Sequence, residues 1–312
     1  MISIIIPTLN RQELLKKSIL AILNNTKKVD EIIIIEQWNI EKTKNTLKDL
    51  NFNFKIFFSN QKSITKARNI WIEKSIWDYI FFIDDDLEID NNYIEIWYNY
   101  LKNNNQVKIV SWKDGNAFLP KKSIFKKVFR FLLYQDTLNS ERKILRSGQN
   151  TVYIDYEKPI SSQWASWTMV VKKEVFKSNK FREDFIRWGF WEDIDFSYRV
   201  YKKYGLGSII FLSNLIFNHI KSDQNRITNN QAIKMMFIYR YIFWKKEVYN
   251  NSFLSLFLYF YSEIFRAILH SRSYNNNKFL TYKQTLKTQL YIIKNYKKID
   301  NNTIDYNTYI LD

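Results

Sequence analysis

The chain has 312 residues and no cysteine, which excludes disulfides and thiolate metal sites and leaves room for one large domain or two smaller ones. Its 48 Lys and Arg residues outnumber its 31 Asp and Glu residues, giving a net charge of +17. This excess predicts a polyanion or an anionic membrane as a neighbour, although an abundance of residues with A- and T-rich codons is an alternative cause. Because the sequence begins with an apolar strand and shows no signal peptide, we expect a cytoplasmic protein.

Four apolar runs in the first part of the chain predict buried strands, at residues 2–6, 31–36, 54–58 and 79–83. Helical periodicity predicts a helix after each of the first three, with Asn10 capping the first helix and Ser63 the third. Strands that alternate with helices indicate an α/β layer with a mostly parallel sheet. Ligands of such sheets bind beyond the carboxyl ends of the strands, so we expect the functional site there.

Three consecutive aspartates, Asp84, Asp85 and Asp86, follow the fourth predicted strand. Adjacent carboxylates repel one another, so we expect compensating positive charge, and oxygen ligands of this kind suit Mg²⁺ or Mn²⁺ shared with substrate phosphates. The alternative is an acidic turn in which Asp86 or Asp90 caps the next helix. None of the 5 glycines precedes Gly115, which excludes a glycine-rich phosphate loop in this layer.

The second half of the chain contains further predicted strands, at residues 107–112, 164–171, 209–212 and 215–217, and the last leads into His219. Residues 114–155 show no pattern that assigns an element. Glu192, Asp193 and Asp195 fall in the first turn of a predicted helix. Acidic side chains there either stabilise the helix dipole or place a carboxylate base beside a binding site, and the sequence leaves both interpretations open.

Five motifs, taken in chain order, resemble those of the family 2 glycosyltransferases with the GT-A fold, namely residues 4–11, 67–69, 82–86 and 191–199 together with His219. The resemblance covers about residues 1–221. It implies an α/β fold with a Rossmann-like, mostly parallel central sheet and a helical C-terminal extension. The corresponding division is a nucleotide-sugar-binding half at 1–110, an acceptor-binding and catalytic half at 111–225, and the C-terminal region at 226–312.

The resemblance also implies roles for individual residues. Asp193 would be the general base of an inverting reaction, with Glu192 beside it, while Asp86 and His219 would hold Mn²⁺ or Mg²⁺. The residues implied near the donor are Pro7, Thr8, Asn10, Arg11, Glu36, Arg68, Asp84 and Asp85. In many members an aspartate that binds the nucleobase stands where Glu36-Gln37 stands here, which leaves the base of the donor open.

Four tryptophans are candidates for stacking on the acceptor's sugar rings, with ordinary core packing as the alternative, namely Trp164, Trp167, Trp188 and Trp191. The resemblance implies a metal-dependent inverting enzyme of bacterial surface-polysaccharide synthesis. It would take a nucleotide-diphosphate sugar as donor and a glycan or lipid-linked molecule as acceptor. A nucleotidyltransferase and a basic nucleic-acid-binding protein are the alternatives, but no nucleic-acid-binding motif is present, so we expect no nucleic-acid partner.

The segment from 252 to 270 predicts a helix with one narrow polar stripe and a broad apolar face. Glu263 and Arg266 make it a poor membrane span, so an interfacial helix on the inner face of the cytoplasmic membrane is the better prediction. The alternative is a helix packed on the catalytic domain or in an oligomer interface. An anionic membrane surface is therefore an expected partner, and an oligomer is compatible with the sequence.

Overall fold

The computed structural model describes residues 1–60, 63–76, 78–116, 124–139, 141–152, 156–187, 189–220, 228–270 and 278–312. The chain divides into two compact units. The first consists of Met1–Leu119, Ile154–Trp188 and Glu192–Asn225, and the second of Pro120–Tyr153, Gly189–Trp191 and Arg226–Asp312. Residues 120–153, which the sequence-based division places in the acceptor half, therefore group with the C-terminal region.

The strands of the described chain form one sheet in the first unit, and their bounds are β1 Ile2–Thr8, β2 Glu31–Glu36, β3 Lys55–Phe58, β4 Tyr79–Phe82, β5 Leu87–Ile89, β6 Ile109–Asp114, β7 Ile160–Ser161, β8 Met169–Lys172 and β9 Ile209–His219. Their order is β3-β2-β1-β4-β8-β6-β9-β5, and β7 pairs with β9. The four predicted strands of the first part of the chain are thus confirmed.

The first four strands pair in parallel, with β1 between β2 and β4. Because side chains alternate along a strand, Ile4 and Ile6 enter the apolar core on one face of the sheet and Ile5 enters the core on the other. Helices cover both faces, which is why these strands are continuous apolar runs. This arrangement places the carboxyl ends of β1 and β4 side by side.

The second half of the sheet is mixed. β8 pairs antiparallel with both β4 and β6, whereas β6 and β9 are parallel. An irregularity between Trp112 and Lys113 shifts the β6–β9 register, and the end of β9 then pairs antiparallel with β5. The predicted strands at 209–212 and 215–217 are therefore one strand, and the predicted parallel arrangement describes the first half of the sheet best.

The helices of the described chain are α1 Gln12–Leu23, α2 Ile40–Leu47, α3 Ile64–Lys74, α4 Tyr93–Asn103, α5 Ile124–Leu132, α6 Glu192–Tyr204, α7 Asn229–Phe243, α8 Phe253–His270, α9 Lys278–Asp300 and α10 Tyr306–Leu311, with short 3₁₀ and π segments at Lys173–Lys177 and Trp244–Val248. Ser63 caps α3 as predicted, because its side chain accepts a hydrogen bond from the backbone of Lys66. The prediction that Asn10 caps α1 is wrong. Arg11 occupies that position, and Asn10 takes a left-handed conformation (φ 54°), which asparagine tolerates better than most residues.

The second unit is built around α7, whose residues from Ala232 to Phe243 are all buried. Arg240 on α7 forms a buried ion pair with Glu263 on α8 and donates a 3.0 Å hydrogen bond to the carbonyl oxygen of Ser147. Gly148 (φ +73°) lies against the Trp244 side chain, where a β-carbon would come within 2.8 Å. Each helix in the described parts of the chain is too short or too polar to cross a bilayer.

Candidate functional site

The aspartate cluster lies at the carboxyl end of β4, beside the end of β1. The Thr8 hydroxyl donates a 2.6 Å hydrogen bond to Asp85. One guanidinium nitrogen of Arg11 lies 3.3 Å from an Asp85 oxygen and 3.1 Å from an Asp86 oxygen. Burial raises the pKa of Asp85 to about 7, and its contacts with Thr8 and Arg11 oppose that rise. The compensating positive charge that the sequence predicts is therefore supplied in part by Arg11.

Asp86 meets His219 at the same edge of the sheet. His219 ends β9 directly opposite Leu87 of β5, and its Nδ1 atom lies 3.4 Å from an Asp86 oxygen. The backbone of Ile220 also donates a 2.7 Å hydrogen bond to the Asp86 carbonyl oxygen. Burial lowers the pKa of His219, but the contact with Asp86 outweighs it, so the net shift is upward. The pairing of β5 with β9 thus brings Asp86 and His219 together, although they lie 133 positions apart in the sequence.

The residues around Asp86 fit a divalent cation of the kind that binds with substrate phosphates. Within the described residues, no group of three or more His, Cys, Asp or Glu side chains forms a metal cage. Mg²⁺, however, is commonly held by one or two carboxylates, with phosphates and water completing the shell. Asp86 and His219 supply a carboxylate and an imidazole. The helix-cap alternative fails because α4 begins at Tyr93 with Asn92 as its N-terminal cap position.

Glu192 and Asp193 begin α6, as predicted. Glu192 is buried and forms an ion pair with Arg68 on α3, and Arg68 also donates a 3.1 Å hydrogen bond to the carbonyl oxygen of Trp167. Burial raises the pKa of Glu192, and Arg68 opposes that rise. The same arginine lowers the pKa of Asp84, which burial raises. Arg68 therefore links the aspartate cluster electrostatically to the start of α6.

Asp193 follows Glu192 in the first turn of α6. One of its oxygens accepts a 2.8 Å hydrogen bond from the backbone of Ile194. Burial raises the pKa of Asp193 to about 6, against the opposing effect of backbone N–H groups, first that of Ile194. A carboxylate with this pKa is ionised at neutral pH and close to the optimum for accepting a proton.

Sequence reasoning missed the partners of Asp195. Its carboxylate is buried between Arg182, 2.7 Å away, and Arg199, at 2.9–3.0 Å. The spacing of Asp195 and Arg199 by four residues on a helix was a usable signal for one of these contacts. Arg182 lies on a separate segment, so no local pattern points to it. These contacts hold the first turn of α6 in place two residues after Asp193.

Glu36, an implied donor contact, is buried and bound by its own loop. One carboxylate oxygen accepts hydrogen bonds from the backbones of Trp38 at 2.7 Å and Asn39 at 3.3 Å, and the other accepts from the Thr43 hydroxyl. The carboxylate thus fixes the turn from β2 into α2. Pro7 lies within β1, paired with Ile35 in the neighbouring strand.

The four tryptophans have different surroundings. Trp167 is partly buried and lies with its ring 4.9 Å from the His219 ring. Trp164 is buried in the first unit, and Trp191 is buried in the second unit, where it stacks on Phe243. Trp188 lies outside the described residues. Of the three that are described, Trp167 is the one at the Asp86–His219 pair.

Comparison with known proteins assigns this chain to a family. A sequence profile described as Glycosyl transferase family 2 matches residues 3–161. The chain belongs to glycosyl transferase family 2. Membership favours the glycosyltransferase interpretation of the aspartate cluster over a nucleotidyltransferase or a basic nucleic-acid-binding protein.

Two curated relatives in the family share part of the chain. It is 32% identical over 134 residues to the poly(ribitol-phosphate) beta-N-acetylglucosaminyltransferase TarP of Staphylococcus aureus, covering 40% of this chain and 41% of that protein. It is 34% identical over 111 residues to an uncharacterized glycosyltransferase of Haemophilus influenzae, covering 34% of this chain and 44% of that protein. The matched region thus spans less than half the length of either relative.

Solved structures support the fold assignment over most of the chain. Staphylococcus aureus TarS residues 1–349 in complex with UDP-GlcNAc aligns with a TM-score of 0.53 at 12% identity, covering 92% of this chain and 79% of that structure. The same TarS fragment with UDP gives a TM-score of 0.52 at 14% identity, covering 87% and 71%. This likeness confirms the predicted GT-A fold with a helical C-terminal region.

Proposed function

We propose that this protein is a metal-dependent, inverting glycosyltransferase that moves a sugar from a nucleoside diphosphate to a hydroxyl of a glycan or lipid-linked acceptor. The observation that carries the proposal is that a candidate cation-binding pair and a candidate base lie at the same edge of the sheet. The Asp86–His219 pair can hold a cation, and Arg68 links the neighbouring Asp84 to Glu192 at the start of α6, beside Asp193. Transfer of a glycosyl unit needs both an electrophile for the leaving group and a base for the acceptor.

Asp86 and His219 would hold Mn²⁺ or Mg²⁺, which when bound would neutralise the negative charge that develops on the leaving diphosphate. Arg11 would add positive charge at the same edge, since it already contacts Asp85 and Asp86. Thr8 and Arg11 both contact Asp85, so they would position the aspartate cluster. Both would also lie beside the bound donor. Asp84 would lie near the nucleoside of the donor.

Asp193 would remove the proton from the acceptor hydroxyl as the hydroxyl attacks the anomeric carbon. The pKa of Asp193, which burial raises to about 6, suits a base that works near neutral pH. Glu192 remains bound to Arg68 and orients the first turn of α6. Attack from the face opposite the departing diphosphate would invert the anomeric configuration. Trp167 would contact a sugar ring, a role supported by its position beside the His219 ring.

A uridine diphosphate sugar, with a hexosamine as its sugar, is the first donor to test. The TarS structures of similar fold contain UDP-GlcNAc and UDP, and TarP is named for N-acetylglucosamine transfer. The acceptor is proposed as a polymer or lipid-linked glycan of the bacterial surface. Many family members have an aspartate near Glu36 that binds the nucleobase, whereas the Glu36 carboxylate is buried and bound by its own loop. Donors with bases other than uracil should therefore be tested as well.

The test is a panel of nucleotide sugars with Mn²⁺, first for thermal stabilisation and then for release of the nucleoside diphosphate. A true donor raises the melting temperature further as its concentration increases above its Kd, with a logarithmic dependence, because it binds the folded state alone. Asp193→Asn serves as the control, since it should keep the stabilisation and lose the release. If no nucleotide sugar stabilises the protein in the presence of Mn²⁺, the proposal is wrong.

A further inference from the structure

Helix α8 has its polar side turned inward and its apolar side turned outward. Its polar stripe is buried in the second unit, at Ser255, Tyr259, Ser262 and Glu263. Its large apolar side chains are exposed instead, at Phe253, Leu254, Phe257, Phe260 and Ile264. A surface helix of a water-soluble protein has the opposite arrangement, with its apolar stripe on the core. The exposed side of α8 is therefore built for an apolar neighbour.

The N-terminal half of helix α9 repeats the inversion, whereas its C-terminal half also buries Ile292 and Ile299. It buries the small polar residues Thr281, Thr285 and Thr288 and exposes large apolar ones, at Phe279, Leu280, Leu286, Leu290 and Ile293. The Gln289 side chain donates a 2.9 Å hydrogen bond to the Glu263 carbonyl oxygen, so α9 lies directly beside α8. Small hydroxyl residues allow helices to pack closely without an apolar seam, as they do in membrane proteins.

Helix α5 adds a third apolar surface to the same unit. Six of its side chains are exposed, including Ile124 at 84% and Phe125 at 80%, and the others are Val128, Phe129, Phe131 and Leu132. The Tyr261 hydroxyl on α8 donates a 3.0 Å hydrogen bond to the Leu132 carbonyl oxygen. This contact joins the end of α5 to the middle of α8. We call the exposed apolar side chains of α5, α8 and α9 the inverted face.

The charges around the inverted face are almost all positive. Residues 121–132, which include α5, contain five basic residues and no acidic one. Residues 278–299, in α9, contain six lysines and no acidic residue. Lys283, Lys287 and Lys294 are exposed. Helices that combine large apolar residues with Lys and Arg bind the interface of anionic bilayers.

We propose that the inverted face is a lipid-binding surface that inserts into the headgroup region of an anionic membrane. A second copy of the chain is a poorer occupant, because a two-fold interface brings the same positively charged patches together. The absence of a spanning helix in the described residues agrees with an interfacial mode of binding. This inference does not depend on the proposed reaction, and it would confine the enzyme to acceptors at a membrane surface.

Vesicle flotation of the full chain tests the proposal. The protein should float with vesicles of phosphatidylcholine and phosphatidylglycerol and much less with phosphatidylcholine alone. The double variant Phe257→Glu/Ile264→Glu should bind at least about tenfold more weakly, since each change removes a large apolar group from the bilayer. The matched control is Phe58→Glu/Leu206→Glu in the first unit, because Phe58 and Phe257 are both 54% exposed and Leu206 is 82% exposed.

A charge test uses a second pair of variants. Replacing Lys283, Lys287 and Lys294 with Gln should weaken anionic-vesicle binding by roughly a hundredfold. Replacing the exposed Lys42, Lys48 and Lys102 of the first unit with Gln should change it little. The proposal is overturned if the chain stays unbound in low salt, or if the apolar variant and its control float equally. Light scattering that shows a dimer dissociated by Phe257→Glu would instead identify the face as a self-association surface.

Discussion

The guanidinium of Arg68 and the carboxylate of Glu192 form a buried ion pair that joins α3 to the first turn of α6. The two residues lie 124 positions apart in the sequence. The family resemblance implies a donor-binding role for Arg68 and a catalytic role for Glu192. In the structure, however, the two side chains bind each other. Their pairing fixes the backbone that presents Asp193.

Removing one member of this pair should destabilise the first unit. Arg68→Met leaves the Glu192 carboxylate buried without its partner, and a change of this kind typically costs about 3–5 kcal/mol of unfolding free energy. The double variant Arg68→Met/Glu192→Met should recover most of that loss, because neither charge is then buried. Urea unfolding of the four proteins in the cycle measures the coupling. Equal losses in the single and double variants would contradict it.

Replacing the proposed base should slow the chemistry and spare the fold. We expect Asp193→Asn to lower kcat by about a hundred- to ten-thousandfold, because the amide cannot accept a proton. The KM for the donor should change little, since Asp193 is proposed to contact the acceptor. Nuclear magnetic resonance of the wild-type product checks the stereochemistry. A product of retained configuration would show that Asp193 has another role.

The activity should fall on the acidic side of neutrality. The pKa of Asp193 rises from 3.8 to about 6 on burial, so its carboxylate becomes protonated as the pH drops through that value. Only the ionised form accepts a proton, so kcat/KM should decline about tenfold per pH unit below the pKa. A pH profile of the wild type measures this limb. The residual activity of Asp193→Asn should lack it.

Metal binding should depend on Asp86 and His219. Asp86→Ala should abolish stabilisation by Mn²⁺ in the presence of a nucleoside diphosphate, and His219→Ala should weaken it by at least about tenfold. Glu88→Ala is the matched control, because Glu88 is exposed on β5 two residues from Asp86. Thermal shift against Mn²⁺ concentration gives the affinities. Full activity of the wild type in excess chelator would refute the metal requirement.

Gly148 allows a test of packing in the second unit, with Gly205 of the first unit as its control. Gly148→Ala places a β-carbon 2.8 Å from the Trp244 β-carbon at a φ of +73°, so we expect a loss of at least about 1–3 kcal/mol. Gly205→Ala has a similar φ of +80° but open space around it, so only the backbone term of about 1–2 kcal/mol applies. Urea unfolding compares them. Equal losses would mean that Trp244 moves aside freely.

Much of the first unit could be predicted because its signals are local. Buried parallel strands are continuous apolar runs, and Ser63 is a cap that a short sequence pattern identifies. β9 appeared as two strands because Ser213 and Asn214 interrupt its apolar run, whereas Ser213 is in fact buried within one strand. Local polarity cannot distinguish a strand break from a polar residue that finds a partner inside the fold.

The parts that escaped prediction depend on contacts distant in sequence. Arg182 meets Asp195, and Arg68 meets Glu192, only because the tertiary fold packs α6 against the segments that carry these arginines. Helix α5 was missed for a different reason. Its apolar and basic residues fall on opposite sides of the helix, but this amphipathic pattern spans only nine residues and lies within a long basic stretch of mixed character. For α8 the sequence identified the polar stripe, but only the structure reveals that the stripe is the buried side.

The long strand β9 makes the candidate cation site sensitive to chain length. Its residues alternate between buried and exposed from Ser213 to Asn218, and the strand ends with His219 opposite Leu87. An insertion or deletion of one residue along this stretch would turn His219 to the other side of the sheet, away from Asp86. Substitutions at the exposed Asn214 and Ile216 leave that alternation intact. Evolution can therefore vary the exposed positions of this strand while its residue count stays fixed.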